Sequence, residues 1–265
     1  MKKTILAFFK IALLLYIVLC GILYFFQEKV IFLPIKLAKN FQFQFDQNFE
    51  ERNFKTSDNT LLNGLLFKAE NSKGLIFYLH GNAGNLSSWG FVAKTYTDLN
   101  YDVLMLDYRG YGKSEGKITS QNQLFNDVQT VYNTIKKEYS EDKIIVLGYS
   151  IGTGMASKLA SNNHPKLLIL QAPYYSLTDL MKRTIPFVPS FILKYKLENN
   201  RYLKDCKMPV ILFHGEEDQV IYPESSLKLK EACKCVEKVI LLDKLGHNGM
   251  TDDLNYKREI KKILQ

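Results

Sequence analysis

Six continuous apolar runs punctuate the chain at residues 75–79, 103–106, 144–147, 167–170, 210–213 and 239–242. Runs of four to eight apolar residues without polar alternation are the pattern of strands covered on both faces, as in a parallel sheet. Between them the apolar spacing changes to a helical period, which predicts helices near residues 88–100, 121–139, 150–162, 223–233 and 252–264. Ahead of the first run, residues 54–56 and 61–68 flank the turn sequence Ser57, Asp58, Asn59 and predict an antiparallel hairpin. Strands alternating with helices give an α/β fold: a mostly parallel central sheet, right-handed crossovers, and helices on both faces.

Two stretches break this rhythm. Residues 5–26 are apolar except for Lys10 near one end, and about 22 residues at 1.5 Å rise exceed the roughly 30 Å of a bilayer's hydrocarbon core. The stretch lacks the small residues of a signal-peptidase site, and Leu19 before Cys20 suits lipoprotein cleavage poorly. The expectation is an N-terminal transmembrane anchor over residues 1–27, followed by one folded domain over residues 28–265. The second stretch, residues 174–205, sets Ile185, Phe187, Val188, Phe191, Ile192 and Leu193 among Lys182, Arg183, Lys194, Lys196 and Arg201. Pro186 and Pro189 restrict it to short helices. Three roles stay open for it: the lining of an acyl site, a membrane contact, and an ordinary core helix pair.

Composition narrows the function classes. The chain has 265 residues, with 46% hydrophobic and 13% aromatic content, enough for one large core and too apolar for disorder. Its net charge is +8, but lysines and acidic residues are interspersed, so a nucleic-acid partner is not expected and attraction to membrane lipid is the simpler reading. Cys20 lies in the apolar segment, and Cys206, Cys233 and Cys235 form no metal-ligand pattern.

The candidate chemistry sits at the ends of the predicted strands. Gly148, Tyr149, Ser150, Ile151, Gly152 is a G-x-S-x-G sequence between a strand run and a small-residue helix. In that context it predicts a tight turn that strains the serine backbone, exposes Oγ, and aims the N–H of Ile151 at an attacked carbonyl. A base and an acid are then required later in the chain, each after a strand. His247 follows the run at 239–242, and Asp218 follows the run at 210–213, with Glu216 and Glu217 as fallbacks. Asp107 precedes the serine and Asp243 lies too near His247 to be its partner. His80 and His214 end strands and precede glycines, which fits bonding across a turn; His164 precedes Pro165 in a polar loop and reads as solvated. A second oxyanion donor is expected from the turn after residues 75–79, where the N–H of Asn82 lies among small residues. Gly112, Lys113, Ser114 lacks the leading glycine of a phosphate loop, and Gly152, Thr153, Gly154 lacks the third small position of a dinucleotide fingerprint, which Ser157 occupies.

The segments HGNAGN at residues 80–85, LDYRGYGKSEG at 106–116, GYSIGTG at 148–154, HGEEDQVI at 214–221 and GHN at 246–248 together resemble the α/β-hydrolase superfamily. Within it they are similar to a membrane-anchored branch that includes protein depalmitoylases. The resemblance implies an α/β-hydrolase fold with a cap over the serine at about residues 174–205. It also implies a serine hydrolase, without metal or organic cofactor, acting on an acyl ester or thioester at a membrane. Amide cleavage and a non-catalytic binding role are the alternatives.

Overall fold

The computed structural model describes residues 1–265. Its core is an eight-stranded sheet. The strands are β1 (Phe49–Lys55), β2 (Leu61–Phe67), β3 (Leu75–Leu79), β4 (Asp102–Leu106), β5 (Ile144–Tyr149), β6 (Leu167–Gln171), β7 (Val210–Gly215) and β8 (Val236–Leu242), in the spatial order β8-β7-β6-β5-β3-β4-β2-β1. β2 pairs antiparallel with both of its neighbours, and every other pairing is parallel. The expected hairpin is β1–β2, its first strand starting at Phe49 rather than at residue 54, with Asn59 at positive φ (64°) in its turn.

The strand residues divide between two cores. Leu75, Phe77 and Leu79 face one side with α2 (Gln121–Ile135), α3 (Gly152–Asn162) and part of α5 (Glu224–Ala232). Ile76 and Tyr78 face the other, with the helical stretch after β3 and α6 (Leu254–Leu264). Each side of a parallel strand is thereby dry, which is why the runs read as continuously apolar. Helix starts follow local capping: the side chains of Ser120 and Asp253 accept the N–H groups of Gln123 (3.1 Å) and Tyr256 (2.8 Å).

Two expected elements differ in detail. The helix expected at 88–100 is broken into Leu86–Trp89, a 3₁₀ turn Gly90–Ala93 and Lys94–Thr97. Gly90 lets the Phe45 ring press against the backbone at the break; a Cβ there would meet it at 2.3 Å. The helix expected at 121–139 ends at Ile135.

Residues 174–205 form a cap of α4 (Leu177–Thr184) and short turns, as the prolines require. The N-terminal segment is one helix, α1 (Lys2–Ile31), of 30 residues, long and apolar enough to cross a membrane. It passes through residue 27 without a break and ends at Ile31. The chain then runs along the top of the sheet: Leu33 and Pro34 pair with Ala83 and Gly84, and Lys36 pairs with Gly112.

Between β3 and β5 the topology switches direction. From β3 the chain moves outward to β4, then returns across β3 to β5. The loops leaving the carboxyl ends of β3 and β5 therefore diverge, and the crevice they leave is where open α/β sheets place their ligands.

Candidate active site

The crevice is built on Ser150. Its φ is 52°, in the left-handed region that a side chain makes costly, and the turn is held there from both sides. The Ser150 N–H donates to Gln171 O (2.8 Å) and the Ser150 carbonyl accepts from Thr153 N (3.0 Å) and Thr153 Oγ1 (2.6 Å). The flanking glycines are steric requirements. A Cβ on Gly152 would lie 2.1 Å from Leu79 O, and one on Gly148 would lie 2.7 Å from the Ala156 Cβ.

The structure brings the three candidate side chains into one hydrogen-bonded series. Ser150 Oγ lies 3.0 Å from His247 Nε2, and His247 Nδ1 lies 2.7 Å from Asp218 Oδ2. An ionised carboxylate can only accept, so Nδ1 carries the proton and Nε2 presents its lone pair to the serine hydroxyl. Burial alone would raise the Asp218 pKa, but N–H groups of His214, His247 and Ile221 outweigh it and hold the carboxyl well below the usual range. Asp218 Oδ1 accepts from Val220 N (2.8 Å) and Ile221 N (2.9 Å), so the loop folds around its own carboxylate.

The other candidates lie elsewhere. Glu216, Glu217 and Asp243 are exposed. Asp107 is buried, faces His80 Nε2 at 3.4 Å, and accepts from Leu86 N. His214 bonds across the turn as expected, donating from Nε2 to Ile221 O (2.7 Å) and accepting at Nδ1 from Ser226 (2.7 Å). His80 holds its own turn through Gly81 O (2.7 Å), and His164 is exposed.

Asn82 lies in the turn after β3, and both its N–H and that of Ile151 make no hydrogen bond within the protein. The turn is pinned from two directions. Tyr111 Oη donates to Asn82 O (2.7 Å), and Leu33 N donates to Asn82 Oδ1 (3.1 Å). Tyr108 Oη donates to His80 O (2.8 Å) in the same loop. The tyrosines of the LDYRGYG segment thus position the turn, a role that strand and motif spacing did not disclose.

Ser150 and His247 lie on the wall of a cavity of about 550 Å3. Of its 24 lining residues, 17 are hydrophobic, and none is Asp or Glu. The cap contributes Leu177, Leu180 and Val188. Leu23, Gln27, Val30 and Ile31 of α1 also line it, which sequence reasoning missed. The polar pair Gln27 and Glu28 closing an apolar run was the available signal.

The family model for serine aminopeptidase S33 hydrolases matches residues 70–206. The protein bem46 of Schizosaccharomyces pombe is 30% identical over 207 residues, covering 74% of this chain and 69% of that protein. The human alpha/beta hydrolase domain-containing protein 17B is 29% identical over 199 residues, covering 73% and 67%. Among solved structures, an esterase of Pyrococcus furiosus superposes with a TM-score of 0.70 at 20% identity, covering 88% of this chain and 96% of that one, a likeness of fold. With the elbow, the sheet order and these matches in agreement, the chain belongs to the serine aminopeptidase S33 family of the α/β-hydrolase superfamily.

Proposed function

We propose that this hydrolase cleaves acyl esters or thioesters by covalent catalysis at Ser150, while anchored in a membrane by its N-terminal helix. The observation that carries the reading is the series Ser150, His247, Asp218 opening onto an apolar cavity. Ser150 Oγ attacks the acyl carbonyl as His247 Nε2 takes its proton, and Asp218 stabilises the imidazolium. The carbonyl oxygen gathers negative charge between the N–H groups of Asn82 and Ile151. His247 then returns the proton to the departing alkoxide or thiolate. Water, deprotonated by the same imidazole, attacks the acyl-enzyme and releases a carboxylic acid, restoring Ser150. This cycle requires no metal or organic cofactor.

Ester or thioester cleavage is favoured over aminopeptidase action by the lining. A free peptide N-terminus carries an ammonium that needs a carboxylate to replace its water, and none lines the cavity. An apolar acyl chain needs only dry surface.

Labelling by a fluorophosphonate tests the reading, because only an activated serine reacts. Wild-type protein should label and hydrolyse p-nitrophenyl esters and acyl thioesters, and Ser150→Ala should do neither while remaining folded. Hydrolysis that persists in folded Ser150→Ala would dismiss the assignment.

A further inference from the structure

Part of the cavity wall belongs to α1. Leu23, Gln27, Val30 and Ile31 are spaced at i, i+4, i+7 and i+8, so they share one face of α1, and that face lines the cavity. This contact is bolted rather than incidental. Gln27, near the end of the apolar run, is buried; its Nε2 donates to Ile192 O (3.1 Å) and its Oε1 accepts from Lys194 N (2.8 Å). Glu28 pairs with Lys194 (2.7 Å) and accepts from Tyr195 Oη (3.1 Å).

A second tie lies farther along the helix. Tyr16 Oη donates to Phe187 O (2.7 Å), eleven residues before Gln27, which is about 16 Å along the axis. The cap segment between these ties therefore runs beside the helix over roughly half of a 30 Å hydrocarbon core. Phe187 and Phe191 on that segment are 63% and 84% exposed, apolar surface with no protein over it. Beyond α1, the pairing of Leu33 and Pro34 with Ala83 and Gly84 ties the helix end to the Asn82 turn.

We propose that the anchor helix is part of the substrate site: it supplies a wall of the acyl pocket, and the pocket fills sideways from the bilayer leaflet. The substrate class is then a long acyl chain already embedded in lipid, whose ester or thioester reaches Ser150 at the interface. Such a chain moves from one apolar medium to another. A short, water-soluble ester leaves this wall unused. The inference rests on the serine hydrolase reading above and adds to it the direction of access and the residues that select chain length.

The test uses the full chain in lipid nanodiscs. For each variant, kcat/KM is measured on p-nitrophenyl palmitate and p-nitrophenyl butyrate, alongside labelling rates with long-chain and short-chain alkyl fluorophosphonates. Leu23→Trp and Val30→Trp, which place a ring in the cavity, should each lower the palmitate-to-butyrate ratio about tenfold, a typical cost of misfit in an apolar pocket. Phe25→Trp, on a residue 72% exposed and outside the cavity, should keep the wild-type ratio. If a tryptophan variant loses labelling by the short probe it has misfolded, and Leu23→Phe takes its place. A wild-type ratio in the cavity variants would overturn the proposal, and so would an equal fall in all three, which would mark a general effect on insertion. Wild-type protein that no probe labels would instead defeat the serine hydrolase reading, and this inference with it.

Discussion

The strain at Ser150 can be measured by comparing two variants, Ser150→Ala and Ser150→Gly. Both remove Oγ and its contact with His247, so their difference isolates the backbone. At φ 52° a residue with a Cβ costs about 1–2 kcal/mol relative to glycine. The turn cannot relax to escape that cost, because Gln171 O, Thr153 N and Thr153 Oγ1 hold the peptide groups on both sides of the serine. Against this, glycine loses about 0.4–1 kcal/mol more chain entropy than alanine on folding. The net expectation is that Ser150→Gly is more stable than Ser150→Ala by roughly 1 kcal/mol, which for a domain of this size is a melting difference of about 2–4 °C. Calorimetry or scanning fluorimetry of both proteins in one detergent measures it, with absence of fluorophosphonate labelling showing that both have lost the nucleophile. A glycine variant that melts at or below the alanine variant would refute the claim that the elbow stores strain at this residue.

Asp218→Asn should lower kcat by about 10⁴, the order expected when the imidazole loses its orienting carboxylate, whereas Glu216→Gln and Glu217→Gln should stay near wild type; esterase assays separate the three. Because the folded-state pKa of Asp218 is depressed, its ionised form contributes stability that is complete above the unfolded value of about 3.9 and fades as pH falls below it. The gap in denaturant midpoint between wild type and Asp218→Asn should therefore narrow on acidification below about pH 4, and a widening gap would contradict the sign. Tyr111→Phe removes the bond that pins Asn82 O, worth about 0.5–1.5 kcal/mol, and should lower kcat by up to about tenfold with little change in KM. An effect confined to KM would place Tyr111 in ground-state binding instead.

The ties between helix and pocket change what α1 would contribute as an anchor. A tether alone would raise the local concentration of membrane substrates and leave the chemistry untouched. Here the helix end is also stitched to the turn that carries Asn82, through Leu33 N to Asn82 Oδ1. Removing α1 would take away one wall of the cavity and loosen the loop beside Ser150.

The sheet and the positions of Ser150, Asp218 and His247 at its strand ends were readable from local pattern. Parallel strands announce themselves because both faces are dry, and G-x-S-x-G announces a turn because no other residues tolerate the approach of Leu79 O to residue 152 and of Ala156 to residue 148. The break at Gly90 was not readable, since it depends on the Phe45 ring, from a segment 45 residues earlier in the chain. Chain order placed the acid after the strand at 210–213 but left Glu216 and Glu217 as fallbacks to Asp218; only the folded loop shows the Asp218 carboxylate turned inward while the two neighbours face water.

The long apolar helix α1 could be recognised from sequence by length and hydropathy, and there the pattern stops being informative. A helix meant for lipid is apolar on every side, so a stripe that packs against protein looks the same as one that packs against acyl chains. The pairing of Tyr16 with Phe187, and of Gln27 with Ile192 and Lys194, joins segments more than 160 residues apart. Local sequence determined that a long apolar helix and a hydrolase sheet would form. Their sharing of one pocket was decided only by the tertiary structure, because it depends on which face of an all-apolar helix meets the cap.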